Sequence, residues 1–519
     1  MTNKAEKKKL ITIDRLKMYF PLKKQWGKEQ LYVRANDDIS IDIYEGETLG
    51  LVGESGCGKS TLGKTLLQIT TPTEGRTIYY GRSIDEIAPK YVTEILKNLP
   101  KLRRDCLELE QKAKEAHAQA EKAPKDSEEE YKLINRAKEA DKEYRRVYYD
   151  IVQLIGGLFL AEDLQPIADI FLKEHEVAVR LRKANIAVTK EHAKLDAQIA
   201  KLEEKGASKA EINSATQSKK AVFDEKAKAV AELEKELKQV QSEIEAMQKP
   251  YRSNPEFDRH EKYRDKGVDL ARLRTNEMKL IRKDMQLIFQ DPYSSLDPKM
   301  TVGQIVSEGL YTHNMFSPKD PKVQDYIIET MEKCGLQKYF VHRYPHQFSG
   351  GQRQRIGIAR SVALNPKFIV CDEAVSALDV SIQSQVINLL LDLKEQNNLT
   401  YLFISHDLSV IKYISDRVGV MYLGNMVEIS PTQELYDRPM HPYTEALLNA
   451  IPTTDTETGL NEKVILEGDI PSPIRPPSGC KFHTRCRYVT DICRNVVPVL
   501  EEVTPGHFVA CHHKLNQDQ

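Results

Sequence analysis

Short apolar runs bounded by glycine, aspartate or polar turns recur at both ends of the chain. They are ISIDIYEGETLGLVG near the start and MQLIFQ, FIVCDE, LTYLFISHD and RVGVMYLG in the second half. Stretches of helical period separate several of them, and strands alternating with helices predict a largely parallel α/β sheet. The middle has another texture. From about Pro89 to Asn276 it is rich in Lys, Glu and Ala, and between Ile167 and Gln248 it holds no proline and one glycine, Gly206. Before that glycine, Leu181, Val188, Leu195, Ile199 and Leu202 keep a heptad spacing; after it, Val230, Leu233, Leu237, Val240, Ile244 and Met247 continue it. Ser208 and Glu211 form the S-x-x-E pattern that restarts a helix. The spacing therefore predicts two arms, Pro166–Lys205 and Ser208–Gln248, each roughly 60 Å long and folded into an antiparallel hairpin. Ser127 and Glu130 open an earlier helix, with Ile134, Ala137, Tyr144, Tyr148 and Ile151 on one stripe.

Composition narrows the class. At 519 residues the chain is long enough for three to four units of about 150 residues. Lys plus Arg is 76 and Asp plus Glu is 77, a net charge of −1 that gives no support to a whole-chain nucleic-acid binder. With no run of about 18 apolar residues, no membrane span is expected, and the start MTNKAEKKKL does not have the form of a signal peptide. The eight cysteines are not spaced as a small secreted framework, so the expectation is a soluble intracellular protein.

The chemistry begins at ETLGLVGESGCGKSTLGKTLLQI, where a strand runs into Gly53-Glu54-Ser55-Gly56-Cys57-Gly58-Lys59-Ser60-Thr61 and then into a helix with Leu62, Leu66 and Ile69 on one face. Glycines let backbone N–H groups turn inward around phosphates, and the positive end of the new helix points at them. Lys59 is placed to reach the β- and γ-phosphates and the Ser60 hydroxyl to ligate Mg2+. A second apolar strand, FIVCDE, ends in Asp372, suited to hold Mg2+ directly or through water, and Glu373, suited to polarise an attacking water. Two carboxylates at a strand end can merely begin a helix. Beside a phosphate loop they supply the positioning and charge that phosphoryl transfer needs.

A third motif, Phe348-Ser349-Gly350-Gly351-Gln352 in HQFSGGQRQRIGIARSVALNPKFIVCDE, is close to the LSGGQ signature, and with it the chain resembles an ABC-transporter ATPase. The resemblance implies a P-loop α/β fold: a parallel-sheet core, an antiparallel β-subdomain and a helical signature subdomain, here interrupted by an all-α hairpin. It implies that Ser349, Gly350, Gly351 and Gln352 face the nucleotide held by another subunit. It makes Gln290 the Q-loop glutamine and a Mg2+ ligand, Asp379 in Ser376-Ala377-Leu378-Asp379 the D-loop aspartate, and His406 in FISHD the switch histidine. Catalysis would rest on Glu373, His406 and Gln290. Phe20 in RLKMYF is the expected adenine-stacking aromatic, with Tyr19 as its competitor.

The segments FQDPYSSLDPKMTVGQIVSEGL, ALDVSIQSQVINLL, RPMHPYTEALLNAIP and GDIPSPIRPPSGCKFHTRC narrow the resemblance to the F-type ATPase subunit of oligopeptide/dipeptide importers. It covers about residues 1–88 and 272–519. It implies a D-type second ATPase subunit, two permease subunits, an extracellular peptide-binding protein serving the complex, and a place on the cytoplasmic face of the membrane through those partners. The expected domains are a discontinuous ATP-binding domain (1–88 and 272–450), an inserted helical domain (89–271) with an unknown partner, and a Cys-rich C-terminal region (451–519). Removing Pro89 to Asp269 is expected to leave a foldable core. Two features depart from the family. Ala374 stands where proline is usual, and the helical insertion replaces a short connection. Neither removes a catalytic position.

Cys480, Cys486, Cys493 and Cys511 gather four of the eight cysteines near the C-terminus. Reducing cytosol disfavours a disulfide, and four thiolates suit iron–sulfur or zinc. The family resemblance favours a 4Fe-4S cluster; zinc, with His483, His507, His512 or His513 as substitute ligands, and plain reduced thiols stay open. A rival function is an SMC-like ATPase using its coiled coil on protein or DNA. In that class the insertion follows the Q-loop, whereas here Gln290 comes after it.

Overall fold

The computed structural model describes residues 7–24, 30–125, 127–204, 206, 208–450 and 468–516. Lys205, the expected end of the first arm, and residues 451–467, the start of the expected C-terminal region, lie outside them. An eight-stranded sheet runs in the order Glu501–Thr504, His507–Val509, Asn425–Pro431, Arg417–Tyr422, Thr48–Val52, Thr400–Ile404, Phe368–Asp372, Met285–Ile288. The last five are parallel and the first three are added antiparallel. Thr48–Val52, Phe368–Asp372 and Thr400–Ile404 are buried at every position, as expected for continuous apolar strands in a sheet covered on both faces. A second, antiparallel sheet has the order Tyr32–Tyr44, Lys9–Pro21, Glu74–Tyr79, Val268–Asp269. The parallel core and the antiparallel subdomain expected from the sequence are both present.

The helical block between the sheets' segments forms two hairpins. Leu99–Lys122 folds back on Glu128–Ile155, with His117 Nε2 2.8 Å from Asp141. Gln165–Glu204 and Lys209–Gln248, 40 residues each, run antiparallel in a constant register: Lys173 meets Glu243, Arg180 meets Glu236, Glu191 meets Lys226, and His192 stacks on Phe223 at 4.4 Å. Gly206 at φ 71° makes the turn, and Ser208 with Glu211 closes a reciprocal cap. Among the described residues no helix is long and apolar enough to cross a membrane.

One expectation is corrected. A cut from Pro89 to Asp269 would not spare the core, because Val268–Asp269 is the fourth strand of the antiparallel sheet, pairing with Tyr79 and Ile78. Tyr91, Val92, Ile95, Ile151, Val152, Ile155 and Leu158 share one apolar cluster with Leu10, Ile11, Ile39 and Ile43 of the same sheet. Arg76 on the sheet pairs with Asp14 and with Asp150 of the insertion, and Asp150 also pairs with Arg272. At the other end, the strands Glu501–Thr504 and His507–Val509 make the Cys-rich region continuous with the core sheet.

Candidate nucleotide site

Strand Thr48–Val52 feeds the loop 53–58, and helix Lys59–Leu66 leaves it. The loop's shape depends on glycine. At φ 105°, Gly58 lies so close to Ala35 that a Cβ would fall 2.0 Å from its carbonyl oxygen; at Gly53, φ 148°, it would fall 2.2 Å from that of Met421. Only a residue without a side chain permits either approach. Asn36 Nδ2 also donates to the Gly58 carbonyl at 3.0 Å. Lys59 is buried, with Nζ donating to the carbonyls of Gly53 at 2.7 Å and Glu54 at 3.1 Å. Its ammonium is thus held over the loop by weak neutral acceptors.

The carboxylates at the end of strand Phe368–Asp372 meet this loop from the next strand but one. Ser60 Oγ donates to Asp372 Oδ1 at 2.5 Å, and Lys64 Nζ lies 3.9 Å from Oδ2. A hydroxyl and a carboxylate brought together at the start of a helix fit a divalent cation bound beside phosphates. Glu373 takes φ 49°, a left-handed conformation that residues with side chains seldom adopt. Its N–H donates to the Ile404 carbonyl at 3.0 Å, and its carbonyl accepts from Ser376 Oγ at 3.0 Å. Strain held in place this firmly is characteristic of a functional position. Gln290 Nε2 donates to Glu373 Oε2 at 2.7 Å, and His406 Nδ1 is 3.7 Å from the same oxygen. Three residues that lie far apart in sequence thus converge on one carboxylate oxygen, each just past the end of an adjacent parallel strand.

Ser349 caps helix Gly350–Val362. Its hydroxyl accepts from Gln352 N, and the Gln352 side chain accepts from Ser349 N. Gly351 packs so tightly on Ile382 that a Cβ would come 2.4 Å from Cγ2, whereas a Cβ on Gly350 would meet only Leu378, at 3.8 Å. Phe348 is buried beneath the cap. Asp379 precedes helix Val380–Asn397 without capping it through its side chain, and the neighbouring Val380 is 79% exposed. Phe20 is exposed near the end of Lys9–Pro21. Tyr19 is already engaged, its hydroxyl bonded to Asp37 and its ring 5.6 Å from the Arg34 guanidinium. Of the two aromatics, Phe20 is the one with a free face.

Sequence reasoning missed a set of contacts from the C-terminal region to the loop. Arg485 forms a two-pronged pair with Glu54 at 2.8 and 3.1 Å, and Glu54 N–H donates to the Tyr443 hydroxyl at 2.9 Å. Lys481 Nζ donates to Asp37 at 2.8 Å and to the Leu423 carbonyl at 3.1 Å. The sequence signal is a pair of cations, Lys481 and Arg485, set between two cysteines in CKFHTRC. Nothing in a linear pattern could connect it to a position more than 400 residues away.

The four C-terminal cysteines are free thiols. Cys480 N–H donates to the Cys493 carbonyl at 2.8 Å, and Thr490 Oγ1 lies 3.6 Å from Cys493 Sγ and 2.6 Å from His513 Nε2. His513 N–H donates to Cys511 Sγ at 3.3 Å. The N–H groups of Phe482 and His483 serve the Cys480 thiol, and that of Tyr488 serves Cys486. Burial, reinforced by the neighbouring thiols, pushes Cys480 up to about 11 and Cys511 up to about 12. Among the described residues no group of three or more His, Cys, Asp or Glu side chains is arranged to hold a metal ion as it stands. Of the histidines offered as zinc ligands, His483 and His512 bond to main-chain carbonyls and His507 lies between Glu428 and Glu434.

Comparison with known proteins points the same way as the geometry. Residues 36–160 and 257–376 match the ABC transporter family, and residues 427–493 match the oligopeptide/dipeptide transporter C-terminal region. The chain is 53% identical over 249 residues to the oligopeptide transport ATP-binding protein AppF of Bacillus subtilis, an overlap of 48% of this chain and 75% of that one. With a putative peptide import ATP-binding protein of Brucella ovis it is 54% identical over 245 residues, 47% of this chain and 76% of that one.

Proposed function

This chain belongs to the ATP-binding subunits of oligopeptide/dipeptide ABC transporters, ATP-hydrolysing by family, and from that premise we propose that it is the F-type half of a peptide importer's motor. In this reading it pairs with a D-type ATPase subunit beneath two permease subunits, which an extracellular peptide-binding protein supplies. Membrane attachment would come through the permeases.

The observation that carries the reading is the meeting of Gln290 and His406 on Glu373, the residue directly after Asp372 of the Ser60–Asp372 pair. Lys59 and the loop N–H groups would bind the phosphates of ATP. Glu373 would orient and deprotonate water, with Gln290 and His406 fixing its carboxylate. Mg2+, when bound at Ser60 and Asp372 with Gln290 nearby, would neutralise charge on the transferring phosphoryl group. Ser349, Gly350, Gly351 and Gln352 would face the nucleotide of the second subunit, and Asp379 would sit at the seam. The open face of Gly350 and the exposure of Val380 support an approach by another chain there. Phe20 would stack on the adenine.

Cys480, Cys486, Cys493 and Cys511 would hold a 4Fe-4S cluster. Backbone N–H groups directed at Cys480, Cys486 and Cys511 could donate to cluster-bound thiolates, while burial keeps these thiols protonated without a metal. Zinc on the same thiols is the alternative occupant, and among the described residues no grouping is arranged as it stands to hold an ion of either kind. Iron and sulfide analysis of anaerobically purified protein checks this assignment; a chain with neither would end it.

The decisive experiment uses the full chain with its companion ATPase subunit. With Glu373→Gln, Mg·ATP should drive a stable pair that hydrolyses at least about a hundredfold more slowly than wild type, because binding survives while water activation is lost. Hydrolysis at the wild-type rate, or no association on adding Mg·ATP, would overturn the proposal.

A further inference from the structure

A phosphate cradle is a poor place for a free carboxylate. Glu54 directly follows the first glycine of the loop, and its negative charge would oppose the polyanion that Lys59 and the loop N–H groups attract. In this chain that charge is answered from the far end of the sequence. The Arg485 guanidinium meets both Glu54 oxygens, at 2.8 and 3.1 Å, and its side chain is only 5% exposed. A fork-to-carboxylate pair of this kind fixes direction as well as charge. Arg485 itself is fixed. Its N–H donates to the Phe482 carbonyl at 3.0 Å, and the Phe482 ring packs edge-on to Tyr422 at 5.2 Å and against Tyr443 at 5.4 Å. Tyr443 in turn accepts the Glu54 N–H. Side chain and main chain of Glu54 are therefore both held by one aromatic block that the Cys-rich region completes.

We infer that Arg485 is a positioning residue for nucleotide binding: it neutralises Glu54 and draws its carboxylate away from the phosphates, so that the phosphate loop reaches full affinity only when the segment between Cys480 and Cys486 is folded against it. This inference rests on the reading of residues 53–61 as the nucleotide site. The contact Arg485 makes with the site is to the phosphate loop at Glu54, so it acts on binding and leaves the chemical step alone.

A charge cycle on the full chain separates this role from general structural support. Arg485→Ala should weaken Mg·ATP binding about tenfold, a difference of about 1.4 kcal/mol, and raise KM in the assembled ATPase by a similar factor while kcat stays within about twofold. Glu54→Gln removes the offending charge and, whatever its own affinity, supplies the reference background for the cycle. In that background the further change Arg485→Ala should alter affinity by less than about threefold, against about tenfold with Glu54 present, which a purely structural loss would not allow. Should Arg485→Ala fail to fold, the double variant, which leaves no unpaired charge, should still fold and bind. Unchanged affinity in Arg485→Ala, a fall in kcat at constant KM, or a double variant that does not stay within that range of Glu54→Gln or does not fold each overturns the inference. If the wild-type chain itself does not bind Mg·ATP, the nucleotide-site reading fails instead, so the two failures are told apart.

Discussion

The two parts of the helical insertion obey different physics, although one stretch of sequence encodes both. Its foot is built as protein interior. Ile151, Val152, Ile155 and Leu158 are wholly buried and share an apolar cluster with the antiparallel sheet of the ATP-binding domain. The long hairpin beyond it touches mostly itself. Beyond its root, Leu195 is the single buried apolar side chain among the described residues of 186–229. Its cross-hairpin bridges, such as Lys173–Glu243 and Arg180–Glu236, are largely exposed. Exposed ion pairs contribute about 0–1 kcal/mol each, whereas truncating a buried aliphatic costs about 2–5 kcal/mol. The energetic boundary of the insertion therefore lies partway along the hairpin and not at Pro89, where the composition changes.

The largest effect expected from this contrast is in the foot. Ile151→Ala leaves a cavity where the insertion, the sheet and Tyr148 meet, and should destabilise the whole chain by about 2–5 kcal/mol. Because the cluster spans both regions, the loss should appear in the cooperative unfolding of the ATP-binding domain, followed by denaturant titration with nucleotide present and absent. An unfolding transition confined to the insertion would show that the foot is separable after all.

A smaller effect distinguishes the regions by pH. His260 in the foot is bonded to the Tyr148 hydroxyl at 2.7 Å, and its pKa is held below the usual histidine value, chiefly by burial and secondarily by Arg259 and Arg103 against the pull of Glu256 and Glu110. The unfolded chain takes up a proton near pH 6.5 that the folded foot resists, so stability falls as pH drops below about 6.5 and levels off once the folded histidine is also protonated. Urea midpoints at pH 7.5 and 5.5 measure this, and His260→Gln should reduce the difference by its own share, since burial also holds His175, His313, His441 and His512 low. A variant with the same acid sensitivity as wild type would assign the effect to another group.

What could be read from the sequence follows how local each feature is. The phosphate loop, the Ser349 cap and the Ser208–Glu211 cap each sit within a few residues, so their geometry is written in short text. Glu373 is legible at the end of an apolar strand, but Gln290 and His406 are legible only through a resemblance, because their convergence on it depends on strand order. The foot was hidden for two reasons. Val268–Asp269 is too short a strand to show a period, and Tyr91, Ile95 and Ile155 read as ordinary helix faces whose partner is a sheet encoded on either side of them. The Arg485–Glu54 pair was hidden by distance alone, since charge complementarity between remote positions leaves no periodic trace.

The smallest effect is the most demanding test of the contrast, because it predicts almost nothing. The register places Asn185 near Val230, so residues 186–229 can be replaced by a short glycine–serine loop without altering the helices below. This removes Leu195, the Glu191–Lys226 bridge and the His192–Phe223 stack while keeping Val240, Ile244 and every foot contact. The removed part is dominated by exposed pairs of low individual worth, so stability should change by no more than about 1 kcal/mol. The affinity for Mg·ATP should not change, since among the described residues no side chain in the segment contacts the nucleotide site. A loss as large as that of Ile151→Ala would mean that the distal hairpin is energetically continuous with the foot. If binding and stability hold while peptide uptake in cells falls, the hairpin's contribution must lie in something it contacts outside this chain.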